Sequence, residues 1–302
     1  MAEQTDKDLA KWISENVGFP NSMVDRITPA TTDEQRKFVK ENYGYEDGSP
    51  VFCEPFRQWV LEDTFKNDRP QLDKLDNVKF VQDVGPYEFM KLRILNGGHA
   101  SLCYPSALLD LDYVHESMEH PVISKFLDTI QANEMIPTVP AIPNDNVDFA
   151  EYWKVVSERF SNPTLLDTIP RNCFNGPSRQ PKFTTPVAVD NLKAGRSIDG
   201  IAIVSAMWCR YCMGKTESGK VIEPNDPQWD KLQALANKAK DDPVVWLGMT
   251  DVYGDLGKEP VFQASFEKAL KSVLDDGVEA TLQKYVDGTF STAGAKAAAA
   301  SA

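Results

Sequence analysis

The sequence predicts a mixed α/β region over residues 1–84, followed by a mainly α-helical region over residues 85–290. Short segments rich in Val, Phe and Trp, typical of strands, occur among helical patterns in the first region. From Pro86 onward, apolar residues recur mostly at the three-to-four spacing of helices. The closing STAGAKAAAASA, residues 291–302, has little to bury and is predicted to be a disordered tail.

Five elements are predicted in the first region. A helix over residues 5–19 follows from the apolar stripe of Leu9, Trp12, Ile13 and Val17. A second helix over residues 33–42 follows from Thr32, which suits a helix start. The predicted strands lie in NSMVDRITP, PVFCEPFRQWVLED and NVKFVQDV.

Seven long helices are predicted in the second region because their apolar residues follow helical periodicity. They cover residues 86–104, 106–118, 121–134, 147–160, 199–214, 228–239 and 261–287. We place the domain boundary near Val84, where the pattern changes.

The charge balance excludes several classes of partner. With 32 basic and 45 acidic residues, the net charge of −13 would repel nucleic acid and anionic membrane surfaces. No apolar run is long enough to span a membrane, and the polar start MAEQTDKD lacks the apolar core of a signal peptide. A cytoplasmic protein is expected, and its five scattered cysteines are expected to be reduced.

The segment PYEFMKLRILNGGHASL carries the most chemical information. In a regular α-helix, Asn96 would lie about 140° from Lys91, with His99 between them at about 80°. One broad face would then present an amine, an amide and an imidazole. The adjacent Gly97 and Gly98 are costly inside a helix, so close approach of another molecule or of backbone is expected there.

Such a face suits the interconversion of an alcohol and a ketone. A base must take the hydroxyl proton while hydride departs, and donors must stabilise the charge that develops on the oxygen. A lysine can be the base where its surroundings disfavour the ammonium form. The alternative, favoured by spacing alone, is that Lys91 and Arg93 are solvated, Asn96 is a cap and His99 is a satisfied core histidine.

Three blocks in order, NSMVDRITP, EPFRQWVLED and KLRILNGGH, resemble the polyol-specific long-chain dehydrogenases. The resemblance extends over roughly residues 9–289. It implies that residues 1–84 are the C-terminal remnant of a Rossmann-type NAD-binding domain, and that residues 85–290 form a helical substrate domain.

The resemblance also implies roles for individual residues. Lys91 would be the general acid/base, with Asn96 and His99 polarising the substrate oxygen. Glu88 would connect the lysine to solvent, and Asp25 would face the nicotinamide. Two arginines would hold substrate hydroxyls, namely Arg171 and Arg179, the second standing where the family usually has lysine.

The implied reaction is the NAD-linked interconversion of D-mannitol and D-fructose, without a metal. Another polyol or sugar acid, such as arabinitol, mannonate or altronate, is a sibling interpretation. The family's glycine-rich phosphate turn, G-x-G-x-x-G, does not occur in the 302 residues. The alternative function is therefore an N-terminally truncated, catalytically inactive fragment.

Two further motifs imitate functional sites. The W-C-R-Y-C at residues 208–212 resembles a redox motif, but its surroundings favour a single helix with core cysteines. In H-E-S-M-E-H, His115 and His120 are five residues apart and would point about 140° away from each other on a helix. Neither a redox site nor a zinc site is expected.

Overall fold

The computed structural model describes residues 2–290, so the predicted tail at residues 291–302 lies outside the described residues. Within the described range, the chain forms two compact units. The first contains residues up to Phe89 together with Ala141–Asp145, and the second contains Met90–Pro140 and the residues from Asn146 onward. The first is mixed α/β and the second mainly helical, which confirms the predicted fold class.

A three-stranded sheet organises the first unit, in the order β1 (Ser22–Asp25), β2 (Gln58–Glu62), β3 (Val78–Val81). Strands β1 and β2 are antiparallel, whereas β2 and β3 are parallel. All three strands lie inside the segments predicted for them. The helical elements that begin in this unit are Ala2–Thr5, Lys7–Asn16, Asp33–Tyr43, the 3₁₀ turn Leu72–Lys74 and Gly85–Met90.

The helix Asp33–Tyr43 begins as predicted, because Thr32 and Gln35 form a capping box at its N-terminus. The Thr32 hydroxyl accepts from the Gln35 amide, and the Gln35 side chain accepts from the Thr32 amide. The helix predicted over residues 5–19 is shorter than expected. Asp6 caps a helix that ends at Asn16, and Val17 is already extended.

The second unit is built from helices throughout. Its α-helices are Gly97–Leu108, Val114–Glu119, Pro121–Ile130, Phe149–Phe160, Ile169–Cys173, Gly176–Phe183, Thr185–Lys193, Asp199–Cys212, Trp229–Lys238, Val244–Leu247, Thr250–Tyr253, Pro260–Asp275 and Val278–Val286. Two π-helical turns, Lys91–Asn96 and Gln131–Met135, and 3₁₀ turns at Ile136–Thr138, Pro163–Leu165 and Gly254–Lys258 join them. Among residues 2–290, no helix has both the length and the apolar character that crossing a bilayer requires.

Asp199–Cys212 is the central helix of this unit, since every residue in it except Arg210 is buried. It packs against Pro260–Asp275 and Gly97–Leu108. Both cysteines of W-C-R-Y-C lie within it, as predicted. Burial raises the pKa of the Cys209 thiol, which keeps the group protonated and argues against redox chemistry.

Three predicted helices of the second unit are interrupted or end early. The helix predicted over residues 121–134 ends at Ile130 and continues as the π-helical turn Gln131–Met135. The predicted 106–118 helix is interrupted after Leu108, and the next helix begins at Val114, where Glu116 accepts from the Asp112 and Tyr113 amides. The predicted 261–287 helix is two helices, because Gly277 has a φ of +92° that α-helical geometry excludes.

Several helices were missed because prolines look like helix breakers in a sequence. Pro170, Pro177 and Pro186 instead lie in the first turns of Ile169–Cys173, Gly176–Phe183 and Thr185–Lys193. A proline is tolerated there, because the first-turn amides have no partner within the helix.

A buried carboxylate caps the central helix from a distant element. Glu134 accepts from the Gly200 amide at 2.7 Å, the Ile201 amide at 3.0 Å and the Tyr285 hydroxyl at 2.9 Å. A Cβ at residue 200 would lie 2.9 Å from the Glu134 carboxylate and 2.7 Å from the Tyr285 oxygen, so this approach requires glycine. The network fixes the start of the central helix.

We predict that Glu134→Ala lowers the free energy of unfolding by about 3 kcal/mol, because it leaves buried donors unsatisfied and opens a cavity. Urea unfolding at neutral pH measures the loss. Glu267→Ala, at an exposed helical position, is the matched control and should change the value by less than about 0.5 kcal/mol. Equal losses in both variants would contradict a capping role.

Candidate active site

The segment predicted to carry the chemistry contains a π-helical turn. The chain forms an α-helix over Gly85–Met90, a π turn over Lys91–Asn96 and an α-helix over Gly97–Leu108. The Gly97 amide donates to the Leu92 carbonyl, five residues earlier. The continuous α-helix predicted over residues 86–104 is therefore wrong, and the π turn lies where the candidate catalytic residues lie.

The π turn changes the predicted directions of the side chains. Lys91 and Asn96 are its first and last residues. Because a turn closed by i→i+5 bonds holds more residues than the 3.6 of an α-helix, residues five apart point in more similar directions than the predicted separation of about 140°. His99 follows Asn96 by three residues, one turn further along.

Gln131 supports this turn from the other π turn of the unit. Its side chain is fully buried, and its Nε2 donates to the Ile94 carbonyl at 2.8 Å. A Cβ on Gly98 would lie 3.2 Å from the Phe160 ring and 3.3 Å from Gln131 Nε2. At Gly98 the expected close approach is therefore made mainly by packed side chains.

Three polar atoms of this segment are buried without a hydrogen-bond partner among residues 2–290. They are the Oδ1 of Asn96, the Nε2 of His99 and the Oγ of Ser101. A buried polar atom without a partner is costly, and in native proteins such atoms are few. The described residues therefore leave hydrogen-bonding capacity unused in the segment predicted to carry the chemistry.

The His99 imidazole is held in place by stacking. The ring is buried and lies against Phe160, with centroids 4.0 Å apart and an interplanar angle of 26°. Burial lowers the pKa of His99, and the charges of Arg171 and Arg179 lower it further, while Asp167 partly opposes them. The imidazole is therefore neutral at pH 7.

Asp167 is a buried carboxylate at the centre of the charged groups. It accepts from Arg171 Nε at 2.8 Å and from Arg171 Nη2 at 2.6 and 2.7 Å. The Asn172 amide adds a bond of 3.0 Å, and Nε2 of His99 lies 3.5 Å from Asp167 Oδ2. Burial favours a raised pKa for Asp167, but His99 and Arg171 outweigh it and hold the pKa below its usual value.

The two predicted substrate arginines differ in surroundings. The Arg171 side chain is 40% exposed although two of its nitrogens contact Asp167. Arg179 is half-buried, with its guanidinium carbon 5.6 Å from the centroid of the Phe183 ring. Both are close enough to His99 for their charges to affect its pKa.

The other two predicted residues belong to the first unit. Glu88 is exposed in the helix Gly85–Met90, and Asp25 is buried at the end of β1. The second unit contains Lys91, Asn96 and His99, together with the two predicted arginines.

Sequence reasoning missed Asp167 and Gln131. A signal for Asp167 was present, because it precedes Arg171 by four residues, the spacing of a helical ion pair. No local pattern marks Gln131, whose partner is 37 residues away.

The alternative interpretation of the segment fails at one of its residues. Arg93 is not solvated but buried, with Nη2 2.6 Å from Asp190 and Nη1 2.8 Å from the Thr138 hydroxyl. The histidine motif H-E-S-M-E-H has an ordinary structural role at one end. Nε2 of His120 lies 2.9 Å from the Glu279 carboxylate. Within residues 2–290, no group of three His, Cys, Asp or Glu side chains could hold a metal ion.

Two family models match consecutive parts of the chain. Residues 1–74 match the mannitol dehydrogenase Rossmann domain, and residues 83–274 match the mannitol dehydrogenase C-terminal domain.

Curated relatives agree with these matches. The chain is 49% identical over 286 residues to a mannitol 2-dehydrogenase of Cereibacter sphaeroides, covering 95% of this chain and 59% of the relative. It is 40% identical over 289 residues to a mannitol 2-dehydrogenase of Aspergillus clavatus, covering 95% and 57%. The chain thus spans somewhat more than half the length of these relatives.

Solved structures show the same fold. The Pseudomonas fluorescens mannitol 2-dehydrogenase, in a ternary complex with NAD and D-mannitol, matches with a TM-score of 0.84 at 35% identity, over 95% of this chain and 58% of that one. A substrate-free D-sorbitol dehydrogenase matches with a TM-score of 0.81 at 31% identity, over 93% and 57%.

We predict that the stability of the protein falls below about pH 6.5 partly because of His99. Since the pKa of His99 is lowered in the folded state from its usual 6.5, the unfolded chain binds this proton first as the pH falls. The contribution is fully present above pH 6.5 and is lost toward the lower folded pKa. Urea unfolding at three pH values should give a shallower pH dependence for His99→Asn, and equal slopes would contradict the prediction.

Proposed function

The chain belongs to the mannitol dehydrogenase family, and from this premise we propose that it acts in the NAD-dependent interconversion of D-mannitol and D-fructose. The observation that carries the proposal is that Oδ1 of Asn96 has no hydrogen-bond partner among residues 2–290 and that Nε2 of His99 faces Asp167, which leaves Nδ1 of His99 for a ligand. Hydroxyl groups both donate and accept, so a polyol can satisfy such atoms. Arg171, which pairs with Asp167 next to His99, offers donors to further hydroxyls.

The proposed chemistry assigns one task to each residue of the π segment. Lys91 takes the hydroxyl proton during oxidation and returns it during reduction. Asn96 binds the oxygen of the reacting carbon through its side-chain amide donor, which lowers the cost of the charge that develops there, and His99 binds and orients the substrate beside it. No metal ion is required in this scheme.

The remaining predicted residues serve binding and proton exchange. Arg171 and Arg179 hold the distal hydroxyls of the open-chain substrate. The planar guanidinium of Arg179 would form hydrogen bonds of a different geometry from those of the lysine that is usual in the family. Glu88 lies three residues before Lys91 in the chain and passes the proton of Lys91 to and from solvent. Asp25 is proposed to lie on the nicotinamide side of the substrate.

NAD would accept the hydride in this scheme. The match of residues 1–74 to a Rossmann domain and the NAD complex of a similar protein support that cofactor. The 302 residues contain no glycine-rich phosphate turn of the G-x-G-x-x-G type. The usual phosphate cradle is therefore not among these residues, and NADH binding has to be measured directly.

We predict that Lys91→Ala lowers kcat for D-mannitol oxidation by a factor of about 10²–10⁴, because it removes the general base. NADH formation measures the rate, and thermal melting checks that the fold is retained. Lys193→Ala, at an exposed helical position, should keep the wild-type rate. An unchanged rate in Lys91→Ala would remove this residue from the mechanism.

We further predict saturable NADH binding and a preference for D-mannitol over another polyol or a sugar acid. Nicotinamide fluorescence during an NADH titration measures the first, and rates with D-mannitol, arabinitol, mannonate and altronate measure the second. A higher rate with another substrate would move the assignment within the family. Absence of both binding and turnover would favour the inactive alternative.

A further inference from the structure

Asp167 has more partners than neutralisation of its charge requires. The carboxylate is 4% exposed and forms a two-pronged ion pair with Arg171. That pair alone would compensate a buried carboxylate. The same group also faces the His99 ring, with Oδ2 3.5 Å from Nε2. One carboxylate therefore contacts two of the groups proposed to bind substrate.

The contact with Arg171 selects which donors remain available. Nε and Nη2 of Arg171 are both bound to Asp167. Nη1 has no hydrogen-bond partner among residues 2–290, while the side chain as a whole is 40% exposed. A guanidinium whose Nε and Nη2 are fixed in this way presents Nη1 in one defined direction.

The contact with His99 selects which ring nitrogen carries the proton. Stacking on Phe160 fixes the plane of the ring. A carboxylate oxygen 3.5 Å from Nε2 favours a proton there, because a lone pair on Nε2 would face the negative charge. Nδ1 of the neutral ring then carries the lone pair and can accept from a hydroxyl.

The backbone around Asp167 is fixed by long-range contacts. The Asp167 carbonyl accepts from the Val114 amide at 2.9 Å, and the Ile169 amide donates to the Asp112 carbonyl at 2.8 Å. Leu166, which precedes it, is held in the left-handed region with a φ of 51°, an uncommon conformation for leucine. The carboxylate thus lies on a segment with little freedom to move.

We propose that Asp167 is a positioning residue for polyol binding. It holds Nδ1 of His99 as an acceptor and Nη1 of Arg171 as a donor, so that each can bind a hydroxyl group of the polyol. Asp167 itself does not touch the substrate. The inference rests on the proposed function, because it takes a polyhydroxylated substrate as the ligand.

The test compares Asp167→Asn with the wild-type chain. The variant keeps the size of the side chain and removes its charge. Nitrogen NMR of the side chains reads the protonation state of His99 directly, and the chain has only three histidines to assign. We expect protonated Nε2 in the wild type and a mixture of tautomers in the variant. The KM for D-mannitol should rise at least about tenfold, with a smaller change in kcat.

Asp275→Asn is the control, because it removes a carboxylate from an exposed ion pair of the same unit, that with Lys271, which takes no part in the proposed site. It should leave both the His99 tautomer and the KM unchanged. If Asp167→Asn does not fold, Asp167→Glu replaces it. That variant keeps the charge on a longer side chain, so we expect protonated Nε2 with a raised KM.

The outcomes separate this inference from the proposed function. Wild-type tautomer and wild-type KM in a folded Asp167 variant would overturn the positioning role while the function stands. If the wild-type chain neither binds nor oxidises any polyol, the function fails. The positioning of His99 is then still decided by the tautomer in the Asp167 variants, and an unaltered tautomer in Asp167→Asn overturns it.

Discussion

The helical unit depends on one constraint, namely that a polar group buried among its helices has to find its partner within the protein. Glu134 satisfies this constraint by accepting hydrogen bonds from the first amides of the central helix Asp199–Cys212. Asp167 meets it through Arg171 and Asn172. Since an unpaired buried group costs roughly 1–3 kcal/mol, such contacts constrain how the helices can be arranged.

The π turn at Lys91–Asn96 follows the same logic. A π turn replaces the regular helical hydrogen bonds. Here the Ile94 carbonyl also accepts a hydrogen bond from the side-chain amide of Gln131, which lies on another element. The turn is therefore maintained by tertiary contacts. Its effect is to bring Lys91 and Asn96, five residues apart, to more similar directions than an α-helix allows.

Exceptions to the constraint are informative. Oδ1 of Asn96 and Nε2 of His99 are buried without a hydrogen bond within residues 2–290, although Asp167 lies near the second. Their neighbours Phe160 and Gln131 are packed closely enough that a Cβ on Gly98 would crowd them. The proposed polyol chemistry would use the hydrogen-bonding capacity of Asn96 and His99 that the described residues leave unsatisfied.

The sequence by itself determined the order of the two regions, all three strands, three of the seven predicted long helices and the segment that holds Lys91, Asn96 and His99, because periodicity and capping are local properties of the chain. Only the tertiary structure decided the π turn, the proline-started helices, the burial of Arg93 and the place of Asp167 beside His99. These features depend on partners far away in sequence: Gln131 is 37 residues from Ile94, and Asp190 is 97 residues from Arg93. Local patterns carry no record of which distant group will satisfy a buried polar atom, so that information appears only when the chain is folded.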